Sequence, residues 1–178
     1  SSEVIEYSRK GIARFPLEAV KGSITDAVLE LTLQEGWFDT PADQVWTFEV
    51  YGLNPGQAGA KWVEGAGETG VSGATPPQPV TGQNAPGNEG ASNGVNPSET
   101  ALIGSFTITG KGKTGAKVIV SGASLNQFIA RCAGNSATFL IVRKETDQKQ
   151  RGLNVIHRIA TKEHPSQKGP ELRIITTP

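Results

Sequence analysis

The sequence predicts an all-β protein, a two-sheet antiparallel β-sandwich of the jelly-roll type with one short helix. Its 22 Gly and 11 Pro favour turns and short strands over long helices. In the stretch 23–33, the apolar residues Ala27, Leu29, Leu31 and Leu33 alternate with mostly polar ones. Alternation with a period of two indicates a strand with one buried face. Such a strand needs a second sheet to cover its apolar side, and a sandwich supplies one.

Strand-like segments follow one another along the chain, separated by turn residues. After a short strand near the start, strands are predicted at 11–17, 23–33, 44–51, 102–109, 116–121, 138–142, 153–159 and 171–176. Pro16 has no N–H to donate, so the strand 11–17 is expected to lie at a sheet edge or to end there. The run 138–142 is apolar on both sides, which predicts a central strand covered on both faces. The glycine-rich residues 110–115 are expected to form a hairpin connection between their flanking strands.

One segment has the periodicity of a helix, which we expect at about residues 124–132. Its apolar residues recur at intervals of three and four, as on one side of a helix. They are Leu125, Phe128, Ile129 and Cys132. Ser124 is the expected N-cap, and Gln127 completes a capping box with it. Because Cys132 belongs to the apolar side, we expect it in the core and not as a nucleophile.

The length of 178 residues fits a single domain that spans residues 1–178. Residues 65–99 interrupt its strands, with 8 Gly, 5 Pro and no aromatic residue. We expect a long Gly/Pro-rich surface loop there, because a binding loop would be expected to carry rings or charge clusters. No apolar run approaches the ~20 residues of a membrane span, so none is predicted. The chain contains no Met, which indicates that it begins at a processing or trimming boundary.

The charges are unevenly distributed along a chain whose formal net charge is zero. Residues 1–100 contain 5 Lys/Arg and 13 Asp/Glu, whereas residues 101–178 contain 12 Lys/Arg and 4 Asp/Glu. One interpretation is that strands of the two halves interleave and their charges mix. The other is a polar molecule with an acidic and a basic face, suited to an anionic ligand or to head-to-tail contact.

Motifs for catalysis or metal binding are weak. The spacing G-x-G-x-x-G occurs at 65–70 and 110–115, but neither lies between a strand and a helix as a dinucleotide site requires. His157 and His164, expected on a strand surface and in a loop, have no acidic cluster beside them. The single Cys132 excludes an internal disulfide and argues against a cysteine-based zinc site. We therefore predict a protein that is not an enzyme and has no metal, no cofactor and no nucleic-acid partner.

A cluster of basic residues around the last three strands is the main candidate for ligand binding. Arginine can bind carboxylate or sulfate through two parallel hydrogen bonds, and tryptophan rings at loop edges can stack on sugars. Trp46 alternates with Phe48 and Val50 and is expected in the core. The candidate ligand-binding residues are Arg143, Lys144, Lys149, Arg151, Arg158, Trp37 and Trp62. An ordinary solvated surface with salt bridges is the alternative interpretation of these charges.

Several short motifs occur in the order found in a known extracellular family. Arg14-Phe15-Pro16-Leu17 ends one strand, and an I-x-x-A-x-L-x-L pattern begins at Ile24. The further motifs are V-Y-x-L from Val50, W-x-E from Trp62, T-K-E from Thr161 and P-x-L-x-I from Pro170. In this respect the chain resembles the DNRLRE-type β-sandwich, a class of carbohydrate-binding module found on secreted polysaccharide lyases and bacterial surface proteins. It departs from that family at Pro16, where Asp is usual, and in the length of the loop 65–99.

The resemblance implies a non-catalytic carbohydrate-binding module that is secreted, extracellular or at a cell surface. With the basic residues, it points to an anionic polysaccharide as ligand, and to a parent catalytic domain or other copies of the chain as further partners. It also implies that Arg14 and Glu163 are structural and form a buried or half-buried ion pair, not a ligand contact. The alternative is a structural subunit of an extracellular filament or surface assembly, which would polymerise by strand addition or head-to-tail contact.

Overall fold

The computed structural model describes residues 10–37, 42–57, 85–89, 94–144 and 156–178. The strands in these ranges are β1 (Gly11–Pro16), β2 (Ser23–Trp37), β3 (Val45–Leu53), β4 (Thr100–Thr109), β5 (Lys117–Ser121), β6 (Ser136–Arg143), β7 (Ile156–Ile159) and β8 (Glu171–Thr177). One helix, α1 (Ala123–Cys132), stands between β5 and β6. The predicted all-β class with one short helix is confirmed. The short strand predicted near the start falls in residues 1–9, outside the described ranges.

The strands form two antiparallel sheets, which confirms the predicted sandwich. Sheet A has the order β1-β6-β3-β4. In sheet B, one edge of β2 pairs with β5, while the other edge pairs with β8 along residues 23–30 and with β7 along residues 33–37. The short strands β7 and β8 therefore lie end to end beside one long strand. Since β2 comes from the acidic half of the chain and its neighbours from the basic half, the charges of the two halves mix.

The central strand of sheet B is β2, and it shows the alternation that its sequence predicts. Leu29, Leu31 and Leu33 are buried between the two sheets, with 4% exposure or less. Because successive side chains point to opposite faces, Glu30 and Thr32 lie on the outer side of sheet B. The strand continues to Trp37, beyond the predicted end at Leu33.

The helix α1 closes one end of the space between the sheets, which we call the helix end. Phe128 of α1 is fully buried, and its ring centroid lies 5.3 Å from that of Phe139 on β6. Gly52 on β3 makes room for this ring, because a Cβ atom there would lie only 2.4 Å from Cε2 of Phe128. The apolar side of the helix is thus packed into the core, as its periodicity predicts.

The start of α1 differs from the prediction. The helix begins at Ala123, with Gly122 in the N-cap position and no side chain hydrogen-bonded to the cap. Ser124 therefore lies inside the first turn, and the expected capping box with Gln127 is wrong. The chain passes directly from β5 into the helix through a φ of 110° at Gly122, a conformation that glycine adopts readily and other residues avoid.

The connection between β4 and β5 also differs from the prediction. The two strands do not form a hairpin, because β4 pairs with β3 in sheet A and β5 pairs with β2 in sheet B. Residues 110–116 instead cross between the sheets and bind the edge of β2. Leu33 donates its N–H to the carbonyl of Ala116 at 2.7 Å and accepts one from Gly115 at 2.9 Å. The repeated glycines here therefore serve a crossing between sheets.

Two strands of sheet A have the positions that the sequence predicts. β1 is an edge strand and ends at Pro16. β6 is buried on both faces, since Phe139 points into the core while Leu140 points to the outer side, and both are 0% exposed. The outer side is covered there by part of the connection from β3 to β4, where a Cβ on Gly87 would lie 3.3 Å from Leu140. Of the predicted surface loop 65–99, the structure describes residues 85–89 and 94–99. The rest of the loop lies outside the described residues.

The helical content is small. In the described part of the chain, no helix has the length and apolar character that crossing a membrane requires.

Candidate functional site

Three cations of the predicted ligand site are described, and their side chains point in three different directions. Arg143 and Lys144 are consecutive, so their side chains point to opposite sides of sheet A. Arg143 pairs with Phe48, whose ring is buried, and therefore faces inward. Arg158 pairs with Gln34 and faces the outer side of sheet B. The structure does not bring these three side chains together in one groove.

Arg143 belongs to an aromatic cluster at the end of the core opposite α1, which we call the histidine end. Its guanidinium carbon lies 4.7 Å from the centroid of the Trp46 ring, and Trp46 is fully buried as predicted. His157 packs edge-on against Trp46 and Phe48, with centroid distances of 5.6 and 5.1 Å. Phe48 stacks on Phe106 at 5.2 Å. Arg143 thus contributes a cation–π contact to the packing of this end.

The expected surface position of His157 is wrong, because the residue faces inward. Its neighbour Arg158 points to the outer side of sheet B, so alternation along β7 turns His157 towards the core. The Nε2 atom lies 3.0 Å from the carbonyl oxygen of Gly110. Since a carbonyl oxygen can only accept, Nε2 carries the hydrogen of this bond. His157 therefore ties β7 to the crossing segment that follows β4.

Lys144 lies on the outer side of sheet A beside a carboxylate. Its Nζ is 3.5 Å from Oε1 of Glu49, and the lysine side chain is 62% exposed. The hydroxyl of Tyr51 donates to the other oxygen of Glu49 at 2.7 Å. Burial and the neighbouring carboxylate raise the pKa of Tyr51 to about 12, so the hydroxyl remains a neutral donor. The charge of Lys144 is accessible, but Glu49 offsets part of it.

The other predicted ligand-binding residues are located only in part. Trp37 is the last residue of β2, where its backbone pairs with Ile156. Trp62, Lys149 and Arg151 lie outside the described residues. Lys149 and Arg151 belong in sequence to the segment 145–155 that joins β6 to β7.

The buried or half-buried ion pair implied for Arg14 and Glu163 is wrong, because both residues are exposed. Arg14 is exposed on β1 and donates from Nε to the Ser136 hydroxyl at 3.1 Å. Glu163 follows β7, and its side chain is 58% exposed and 3.6 Å from Nζ of Lys162. Arg14 lies on an edge strand of sheet A, whereas Glu163 lies in a loop beside sheet B. The two residues are therefore on different sheets.

The outer side of sheet B has a charge cluster centred on Glu30, which is only 7% exposed. Lys117 of β5 binds Oε1 of this carboxylate, and Nη2 of Arg173 of β8 lies 3.1 Å from Oε2. The hydrogen bond from Lys117 and the nearby positive charges lower the pKa of Glu30, although its burial acts in the opposite direction. Glu30 therefore stays ionised, and the side chains of Lys117 and Arg173 remain 51% and 58% exposed.

Further cations surround this centre. Lys168, in the loop from β7 to β8, helps to lower the pKa of Glu30 and lies 3.7 Å from Glu171. Arg158 lies further along β2, opposite Gln34, and is exposed. We call four outward-facing cations the basic face. They are Lys117, Arg158, Lys168 and Arg173. Two carboxylates lie among these cations: Glu30 binds Lys117 and Arg173, and Glu171 lies beside Lys168.

Sequence reasoning missed the role of Glu30, for a reason that the topology explains. In the sequence it is one polar position of an alternating strand. Its partners Lys117 and Arg173 are 87 and 143 residues away, so only the pairing of β5 and β8 with β2 brings them together. The available signal was a run of polar side chains at Glu30, Thr32 and Gln34 on one side of the longest strand-like segment. Gln34 is also buried, and its Nε2 has no acceptor among the described residues.

Groups suited to metal binding or nucleophilic chemistry are not assembled in the described ranges. No set of three or more His, Cys, Asp and Glu side chains there is arranged to hold a metal ion. Burial raises the pKa of the Cys132 thiol to about 11, so it remains protonated in the core position that its sequence predicts. His164 accepts a hydrogen bond from the N–H of Gln167 at 3.0 Å and stabilises the loop before β8.

No protein-family model matches the chain, and no curated protein does.

Proposed function

We propose that the chain is a non-catalytic extracellular carbohydrate-binding module of the DNRLRE type, with an anionic polysaccharide as its ligand. The observation that carries this proposal is the basic face, where exposed cations surround a buried carboxylate on the outer side of sheet B. The extracellular location is part of the proposal, and the motif resemblance supports it.

Glu30 orders the cations of the basic face without neutralising them. A single carboxylate is shared between Lys117 and Arg173, which reach it from strands on opposite sides of β2. The three groups together keep a positive charge, and both cations are half exposed. An arginine held in this way can bind a carboxylate or sulfate of a ligand through two parallel hydrogen bonds. The geometry therefore favours uronate or sulfate groups over neutral sugars.

The basic face is also extended along one strand. Arg173 pairs with Val28, and Arg158 pairs with Gln34. At about 3.3 Å per residue, these positions are about 20 Å apart along β2. A linear polymer with repeated negative charges could contact both ends of such a row, whereas a single small anion could not. Long-range attraction to a polyanion requires charge and no reactive group, which fits a binding module.

The test is binding to alginate and to a sulfated polysaccharide, measured by affinity electrophoresis and by calorimetry. The variant Arg158→Ala/Lys168→Ala removes two cations and leaves the Glu30–Lys117–Arg173 group intact. Two exposed charge contacts of up to about 1 kcal/mol each correspond to binding weakened by up to about 30-fold. Binding of the unaltered protein should also weaken as salt rises.

The matched control is Lys21→Ala/Arg131→Ala, which changes the net charge equally at exposed positions away from the basic face. We expect this control to bind like the unaltered protein. Equal losses in the two double variants, or equal binding to neutral dextran, would contradict the proposal. If no polysaccharide is bound and light scattering shows growing particles, the structural-subunit alternative is favoured instead.

A further inference from the structure

Lys10 connects the edge of sheet A to the long segment between β3 and β4. It directly precedes β1, and its Nζ donates hydrogen bonds to Oδ1 of Asn88 and to the carbonyl of Gly94. Lys10 and Asn88 are 78 residues apart in sequence. The amine of a half-buried lysine is therefore held directly against the side-chain amide of an asparagine.

The backbone around Asn88 is fixed by several hydrogen bonds. Asn88 forms an antiparallel bridge with Val95, and its N–H donates to the carbonyl of Ala85 at 3.2 Å. The N–H of Glu89 donates to the carbonyl of Gly94 at 3.2 Å, the same oxygen that receives a hydrogen bond from Lys10. The amide and the amine are thus positioned by backbone structure. Two groups held in this way react as if at very high concentration.

The electrostatic environment favours a nucleophilic amine at Lys10. Burial lowers the pKa of the Lys10 ammonium, while the nearby carboxylate of Glu89 acts in the opposite direction. Burial thus increases the fraction of the neutral amine, which is the nucleophilic form. Glu89 follows Asn88 in sequence, and its charge acts on Lys10, which makes its carboxylate the candidate general base and acid.

We propose that Lys10 and Asn88 join in an intramolecular isopeptide bond. The neutral Nζ of Lys10 attacks Cγ of Asn88 and forms a C–N bond. The carboxylate of Glu89 accepts a proton from the attacking nitrogen and transfers it to the amide nitrogen of Asn88. The Cγ–Nδ2 bond then breaks and ammonia leaves. No group is oxidised or reduced, and no further reactant is needed.

This bond would be a covalent cross-link in a chain that cannot form an internal disulfide, because Cys132 is the only cysteine. An isopeptide bond between Lys10 and Asn88 closes a long loop of the chain and reduces the conformational freedom of the unfolded state. It would also hold the segment around Gly87 over Leu140, on the outer side of sheet A.

Mass spectrometry of the denatured protein tests the proposal without depending on the stability of any variant. We expect the intact mass to be lower than the sequence mass by one ammonia. A proteolytic digest should contain a branched peptide that joins Lys10 to Asn88. The variants Lys10→Arg and Asn88→Ala should have their full sequence masses, and Glu89→Gln should form the bond more slowly after refolding. Lys21→Arg, at an exposed lysine, is the control and should keep the mass deficit.

Three results would contradict an isopeptide bond between Lys10 and Asn88. A full sequence mass in the unaltered protein shows that the bond does not form. A deficit that persists in Lys10→Arg indicates a cyclised asparagine instead of a cross-link. Loss of water in place of ammonia would place the bond on a carboxylate and not on Asn88.

Discussion

The two ends of the core are closed by different chemistry. At the helix end, Phe128 of α1 packs against Phe139 and fills the space that Gly52 leaves open. At the histidine end, charged Arg143 and polar His157 lie among aromatic rings. Each of these polar groups has a specific partner, the ring of Trp46 for Arg143 and the carbonyl of Gly110 for His157. Polar groups are tolerated inside the sandwich where such partners offset the cost of their burial.

This difference leads to different expected costs of mutation. Stability at the helix end depends on filled volume, so it should be sensitive to any change of size in either direction. Stability at the histidine end depends also on polar contacts, such as that of Arg143 with the Trp46 ring. Removing one such contact should cost less stability than removing a fully buried ring. Measured free energies of unfolding can establish or contradict this ranking.

The largest effect is expected for Phe128→Ala at the helix end. Removal of a fully buried ring from a packed core costs about 3–5 kcal/mol of stability. Denaturant unfolding followed by fluorescence would measure it. The control Ile119→Ala truncates an aliphatic side chain that is 53% exposed on β5, and should change stability by less than about 0.5 kcal/mol. Similar costs for both variants would mean that α1 does not close the core.

The second prediction adds volume at the same end. In Gly52→Ala, the new methyl group would lie 2.4 Å from Cε2 of Phe128, so the ring or the strand must shift. Overpacking of this kind costs about 1–3 kcal/mol. The double variant Gly52→Ala/Phe128→Leu removes the clash and should lose less stability than the sum of the single variants. An additive result in thermal unfolding would show that the methyl group and the ring do not compete for space.

The sequence predicts those parts of the fold that have a clear period. The alternation in 23–33 identifies the central strand of sheet B, and the apolar positions of 124–132 identify the side of α1 that is buried. The apolar run 138–142 identifies a strand that is covered on both faces. In each case a local pattern of burial is sufficient, because the pattern directly reports which sides of the element are covered.

The parts that the sequence does not predict depend on pairing between distant strands. The cap at Gly122 and the crossing at 110–116 follow from which sheet each strand joins, and no local pattern specifies that choice. The inward position of His157 follows from the pairing of Arg158 with Gln34. For the same reason, the three described cations of the predicted ligand site are separated in the structure, while the partners of Glu30 come together from different strands.

The third prediction concerns the charged group at the histidine end. Arg143→Ala removes the cation–π contact with Trp46 and should cost about 0.5–2 kcal/mol. Arg143→Lys keeps the charge and should recover part of the loss. Lys144→Ala is the matched control, because it removes the neighbouring cation from an exposed ion pair that is worth at most about 1 kcal/mol. If Lys144→Ala loses more free energy of unfolding than Arg143→Ala, the expectation that the inward-facing contact contributes more than the surface ion pair is wrong.

The smallest expected effect on stability concerns the buried carboxylate of Glu30 on sheet B. Its contribution depends on pH, whereas contributions from packing do not, so a pH series distinguishes the two. Because the pKa of Glu30 is lowered in the folded protein, its ionised form stabilises the fold at pH values above the ordinary carboxyl pKa of 4.5. This contribution is lost as the pH falls through the lower pKa of the folded state. Glu30→Gln lacks the charge at every pH. We therefore expect it to unfold at a lower temperature than the unaltered protein near neutral pH. The difference in unfolding temperature should shrink as the solution becomes more acidic than pH 4.5.

Glu18→Gln, at an exposed carboxylate before β2, serves as the control and should follow the unaltered protein throughout. Parallel melting curves for Glu30→Gln and the unaltered protein across this range would mean that Lys117 and Arg173 do not stabilise the ionised carboxylate.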